Sequence, residues 1–256
     1  MAHRKSELTL EALLVLADRS SGRSVEELAP FTPHVEANQM VMSNPLAFLT
    51  AVIFDQGIPA ERAWNAPFML KIRLGHFDVR RIADEEQRVR EAIQQPPMLH
   101  RIKENMPRWI TNAARRVVEE YGGDASRIWS DAPTAIERQR RFAEFQGIGQ
   151  KKAAMAVELL EQHFKIEVRQ LAGSNIAYDV HVRRVLLRTG LANQDDRRDM
   201  VDAARLLHPE RTGSLDFPLW DIGRRWCRPQ RPNCDECPLG DHCPRLLDRS
   251  AGVRGV

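Results

Sequence analysis

The sequence predicts an all-α protein, and three observations carry that expectation. Apolar residues recur at helical spacing in one segment after another. No alternating apolar/polar pattern runs beyond about four residues, as a half-buried strand would require. Gly and Pro fall mainly between the periodic segments, where helices start and stop. Neither a tandem repeat nor a low-complexity tract interrupts this pattern.

Each element follows from its own residues. Residues 8–17 (LTLEALLVLA) are apolar and strong in helix formers, and Arg19-Ser20-Ser21-Gly22 stops them. Residues 31–44 have mixed polarity and read as a connector. Residues 45–54 (PLAFLTAVIF) are apolar almost all round and open on Pro, a good first helical residue, so they read as a buried helix. Residues 60–74 form a helical stretch broken by Pro67. Residues 84–93 are charged, an exposed helix ended by Gln94-Gln95-Pro96-Pro97. Residues 108–121 carry Ile110, Ala113, Ala114, Val117 and Val118 on one face and close at Gly122-Gly123. Further helices are predicted over 133–145, 151–164, 179–187, 195–207 and 215–227.

The chain has 256 residues, enough for one large domain or two small ones. Hydrophobic residues at 43% and charged residues at 29% exclude general disorder. No apolar run approaches the roughly 18 residues of a membrane span. The start MAHRKSELTL lacks the apolar core of a signal peptide. A cytoplasmic chain, neither membrane-bound nor secreted, is therefore expected. The net charge of +3 permits nucleic-acid binding without demanding it. Lysine occurs only at positions 5, 71, 103, 151, 152 and 165 among 38 basic residues, which makes each one worth locating.

All four cysteines fall in one loop, CRPQRPNCDECPLGDHC, with the spacing C-x6-C-x2-C-x5-C. Such a cluster in an intracellular chain reads as a metal site. Structural zinc usually pairs two short knuckles across a longer insert, which this single wrap does not supply. A [4Fe–4S] cluster held by Cys227, Cys234, Cys237 and Cys243 is the better reading, with zinc the alternative. Pro229, Pro232, Pro238 and Pro244 stiffen the loop and lower the entropy lost on ordering it.

A second constellation is FQGIGQKKAA at 145–154. One helix ends near Gln146, Gly147-Ile148-Gly149 forms a hairpin, and a new helix starts near Gln150. Backbone amides at such a helix N-terminus bind phosphate well, and Lys151 and Lys152 add charge beside them. In NIAYDVHVRRV at 175–185, Asp179 sits at the expected N-cap of the next helix.

Hairpin, Tyr178-Asp179-Val180-His181-Val182 and cysteine loop, in this order, resemble the endonuclease III branch of the helix-hairpin-helix DNA glycosylase superfamily. Asp221-Ile222-Gly223, shortly before Cys227, is similar to the family's lead-in to its cluster. The resemblance covers roughly residues 44–243 and is loose in the N-terminal half. It implies two helical lobes flanking a DNA cleft. One would be a six-helix barrel over 43–164; the other, discontinuous lobe would join 1–42 to 165–256 and carry the cluster. The partner would be double-stranded DNA with a damaged base or abasic site, bound by a monomer and with the base flipped into the cleft.

The resemblance also implies roles. Asp179 would stabilise an oxocarbenium-like sugar or activate the attacking nucleophile, its charge favoured by the helix N-terminus. Lys151 stands where bifunctional members carry their lysine, whose amine displaces the base and forms a Schiff base that permits β-elimination. Cleft burial and the neighbouring Lys152 are expected to help it lose its proton. Gly147, Gly149, Gln150 and Lys152 would contact phosphates. Gln56 would fill the space left by the flipped base and face the orphaned partner. Val180 replaces the family's Thr, Lys152 stands where the family usually has Thr or Ser, and the segment around Gln56 is shorter, so the lesion is open. Arg224, Arg225, Arg228 and Arg231 would add phosphate contacts, whereas Trp109, Trp129 and Trp220 are expected in the core and His181 in packing. Two rivals remain: a monofunctional enzyme in which Asp179 activates water, and a non-catalytic protein that binds distorted DNA.

Overall fold

A computed structural model describes residues 2–21, 31–132, 134–162, 164, 166–168 and 174–250. Among them every regular element is helical and there is no strand. The elements are α1 (Ala2–Ser21), α2 (Val35–Ser43), α3 (Pro45–Phe54), α4 (Ala60–Leu74), α5 (Val79–Asp84), α6 (Glu86–Gln94) and α7 (Asn105–Tyr121). There follow α8 (Arg127–Ser130), α9 (Ala135–Ala143), α10 (Gln150–Gln162), α11 (Val180–Thr189), α12 (Arg197–Leu207) and α13 (Asp216–Arg225). Short 3-10 turns occupy Thr212–Leu215, Gly240–His242 and Leu247–Ser250. No single helix among the described residues is long and apolar enough to cross a membrane.

By contact the chain forms two units. The hairpin unit holds Ser24–Pro133 and Glu137–Ala156; the cysteine unit holds Met1–Arg23, Thr134–Ile136 and Val157–Val256. These divisions lie at other residues than 43 and 164, the boundaries the sequence suggests. In the hairpin unit α3 is the centre, with all its residues from Leu46 to Phe54 buried. Asn44 caps it through the Ala47 N–H (3.1 Å), and Pro45 needs no N–H at that position. Phe48 meets the edge of Trp129 at 5.7 Å between centroids, and Trp129 stacks on Phe142 at 6.1 Å. In the cysteine unit, Leu13 of α1, Leu186 of α11 and Leu219 and Ile222 of α13 share one core.

The expected connector over 31–44 is instead largely helix α2, whose Ala37, Met40 and Val41 are buried where it packs on α3 and α4. Its mixed polarity hid a short apolar stripe. The expected break at Pro67 does not occur: α4 runs through it, with Ala63, Trp64, Ala66 and Leu70 buried on either side. That packing outweighs the one backbone hydrogen bond a proline removes. Helices α5 and α8 were not expected; α5 is started by Asp78, whose carboxylate accepts the Arg81 N–H at 2.9 Å. Helix α1 starts at Ala2, ahead of the expected residue 8, and runs through Arg19, Ser20 and Ser21, three residues of the expected stop; Gly22 and the expected start at Pro133 lie outside the described residues.

Candidate functional site

The hairpin is built by a close approach. Ile148 is buried and its N–H donates to Phe145 O at 3.0 Å, which folds the chain between α9 and α10. Gly147 takes φ +84°, and a Cβ there would stand 2.8 Å from Cε3 of the half-buried Trp109. Glycine is thus required on both conformational and steric grounds. Gly149 is exposed with open space around it, so its backbone is accessible to a ligand. Gln150 begins α10 and Lys151 follows it, its side chain exposed rather than buried as expected. The N–H groups of such a first turn point out of the helix.

Lys152 corrects the sequence reading. It is only 7% exposed, and its ammonium donates to the carbonyls of Val52 (3.1 Å) and Ile53 (2.8 Å) at the end of α3. A charge spent inside the unit is not offered to a phosphate. Burial pulls it down from 10.5 to about 8, with Asp55 favouring the charge and Lys151 opposing it.

Gln56 lies just past α3 and is half-buried. Asp55 has φ −71° and ψ 71°, and the Gln56 N–H donates to Phe54 O at 2.7 Å, an inverse γ-turn. Fully buried His100 accepts the Ile102 N–H on Nδ1 (3.0 Å), so its Nε2 carries the proton and donates to Gln56 O at 3.0 Å. Burial holds His100 below the usual histidine range, with the Gln56 carbonyl opposing, which suits this neutral tautomer. Gly57 follows at φ +65°.

Asp179 is the N-cap of α11 in the cysteine unit. Its Oδ1 accepts the N–H groups of His181 (2.8 Å) and Val182 (2.9 Å). The segment before it is anchored by Asp216, whose carboxylate accepts the Ala177 N–H at 2.6 Å. Gly223 of α13 lets that helix approach the first turn of α11: a Cβ there would lie 2.8 Å from both His181 Cβ and His181 O.

The four cysteines are half-buried, unbridged, and line a single pocket beside Arg188 and Leu239. Their donor chemistry fits an iron–sulfur cluster. No three His, Cys, Asp or Glu side chains among the described residues converge on one metal-ion position. A zinc ion at 2.3 Å from each sulfur would hold the thiols about 3.8 Å apart. Four cysteine thiolates are the ligand set that a [4Fe–4S] cluster takes. Donors toward sulfur are also in place: Arg188 Nη1 lies 3.6 Å from Cys227 Sγ, and the Arg245 N–H lies 3.4 Å from Cys243 Sγ.

Helix α11 joins this loop to Asp179. Arg184, 6% exposed, donates to Cys227 O and, at 2.7 Å, to Gly223 O, and its Nη2 meets His181 Nδ1 at 3.1 Å. Arg188, 4% exposed, donates to Arg228 O (2.7 Å) and Pro229 O (2.9 Å). The backbone closes the other end, with the Leu246 N–H on Arg188 O at 2.9 Å. Thr9 of α1 adds a bond to His242 O at 2.7 Å. Sequence reasoning missed Arg184 and Arg188, as well as His100. In a chain this rich in arginine, residue type gave no signal; the (i, i+4) spacing of Arg184 and Arg188 downstream of Asp179 was the available one.

The remaining candidates divide. Trp129 is core, at 5% exposure, whereas Trp109 backs the hairpin and Trp220 is half-buried beneath the Arg224 guanidinium at 5.0 Å. His181 packs on Arg184. Arg224, Arg225, Arg228 and Arg231 are exposed, with Arg225 paired to Asp221 at 2.8 Å.

No protein-family model matches the chain. Endonuclease III of Thermotoga maritima is 30% identical over 144 residues, which are 56% of this chain and 58% of that protein. Endonuclease III of Bacillus subtilis is 24% identical over 221 residues, 86% and 89% of the two chains. Human adenine DNA glycosylase is 30% identical over 142 residues, 53% of this chain and 22% of that one. The chain thus spans under two thirds of the Thermotoga relative. Among solved structures, a thermostable thymine-DNA glycosylase matches with TM-score 0.64 at 14% identity, covering 96% of this chain and 98% of that one. A trapped endonuclease III–DNA covalent intermediate matches with TM-score 0.59 at 20% identity, covering 84% and 93%. The chain is thus similar in sequence to endonuclease III and adenine DNA glycosylase over about half of its length or more, and it shares its all-helical fold with solved DNA glycosylases.

Proposed function

We propose that this chain is a base-excision DNA glycosylase that also cleaves the resulting abasic site. The observation that carries the reading is the ordered set of hairpin, N-cap aspartate and four-cysteine pocket, each formed by this chain's own residues, in a sequence akin to endonuclease III and adenine DNA glycosylase. The substrate is duplex DNA, with its backbone phosphates on the amides of Gly147–Gln150 and the target nucleotide flipped out. Lys151 and Asp179 then act on that one nucleotide.

Each residue has a defined task. The Lys151 amine, having given up its proton, attacks the anomeric carbon; the C–N glycosidic bond breaks and the base leaves with the electron pair, taking up a proton. The nitrogen loses one of its two protons, the ring oxygen takes one up as the C1′–O4′ bond breaks, and a protonated imine remains. Abstraction of the adjacent C2′ proton then expels the 3′ phosphate by β-elimination, and water releases the lysine. The Asp179 carboxylate, held by the His181 and Val182 amides, stabilises the positive charge that develops on the sugar. Cys227, Cys234, Cys237 and Cys243 would hold the [4Fe–4S] cluster. When bound, it would supply iron–thiolate bonds that fix the loop carrying Arg228 and Arg231.

A monofunctional course is the second reading, favoured by the exposure of Lys151. There Asp179 takes a proton from water and abasic DNA accumulates uncut. Base release from duplexes bearing a panel of lesions, with Asp179→Asn alongside, tests the common claim. Release lost at least about 100-fold in the variant supports it. Equal release by both proteins, or none from any lesion by the wild type, overturns it.

A further inference from the structure

We propose that Lys152 is a positioning residue that sets how Gln56 is presented to the base opposite the lesion. This rests on the glycosylase reading above. The last four carbonyls of a helix have no partner within it, and α3 ends at Phe54, two residues before Gln56. Lys152 supplies that partner from a hundred residues away in sequence, with Nζ on Val52 O and Ile53 O. A cation there also complements the helix C-terminal dipole. The carbonyl after those two, Phe54 O, accepts the Gln56 N–H and closes the γ-turn, and Gln56 O is held in turn by His100 Nε2. Lys152 thus holds the carbonyls that precede the Gln56 turn, and His100 holds the carbonyl of Gln56 itself.

The same lysine is the third residue of α10, two positions after Gln150, where the phosphate-binding stretch ends. Lys152 thus ties the segment that faces the orphaned base to the segment that grips the backbone, within one unit.

The test compares wild type, Lys152→Met, Gln56→Ala and the double variant on one excised lesion set against each of the four opposite bases. Single-turnover excision gives the preference ratio between best and worst opposite base. The proposal expects that ratio to fall about tenfold in Lys152→Met and in Gln56→Ala, with no further fall in the double variant, and to be restored by Lys152→Arg. A thermal melt accompanies each variant; if Lys152→Met does not fold, Lys152→Thr, too short to reach the two carbonyls, replaces it under the same expectation. An unchanged ratio in the lysine variants, or a double variant showing the full product of the two losses, overturns the proposal while leaving the glycosylase reading intact. No excision by wild type on any duplex overturns both.

Discussion

At the scale of single residues, two charged groups illustrate how position decides chemistry. Asp179 is at once a helix cap and the proposed catalytic carboxylate, and the two roles separate by substitution. Asn caps a helix about as well as Asp, whereas Ala loses about 1 kcal/mol. Asp179→Asn should therefore melt with the wild type and Asp179→Ala earlier, while both lose base release; a loss in Asp179→Asn accompanied by unfolding would assign the residue to structure alone. Lys152 makes a prediction about pH. Burial lowers it from 10.5 to about 8, so the folded chain gives up this proton before the unfolded chain does. Between those values the unfolded state binds more protons, and stability rises with pH by roughly 3 kcal/mol from this group; below about pH 8 the cost is fully present. Denaturant melts at several pH values should show that rise in the wild type relative to Lys152→Met. Parallel curves would mean that the buried ammonium is not titrating.

Among elements, α11 matters most, because it carries Asp179 at its start and the grip on the cysteine loop along its length. At 10 residues it is about 15 Å long, so the loop is set apart from the chemistry yet steers the helix that holds it. Gly223→Ala probes that arrangement. The new methyl meets the His181 backbone at 2.8 Å, so the first turn of α11 must move. We expect a loss of about 1–3 kcal/mol in stability and more than tenfold in excision under conditions where the variant remains folded; unaltered activity would show that the Asp179 cap tolerates displacement. Elements such as α3 were legible residue for residue because Asn44, Pro45 and the apolar run all agree. The N-cap at Asp179 was legible for the same reason. Short helices were not: α2 is stabilised by packing on α3 and α4 and α5 by packing on α7, which no pattern within the short segment records. The fate of Lys152 was equally hidden, since a lysine beside a hairpin reads as surface until the end of α3 is known to lie beneath it.

For the whole molecule, the cysteine pocket and the hairpin belong to different units, and their joint service to one DNA substrate is what the proposed function requires. Protein purified under exclusion of oxygen should contain about four irons per chain and absorb broadly in the visible, and Cys234→Ser should lose both. Stoichiometric zinc in a colourless protein would instead make the loop a zinc module. The most direct test of the central claim is borohydride trapping on a panel of lesion-bearing duplexes, with Lys151→Ala run in parallel. The account predicts a covalent protein–DNA adduct that vanishes in the variant. Base release with no adduct, or an adduct that survives in Lys151→Ala, would contradict the lysine mechanism.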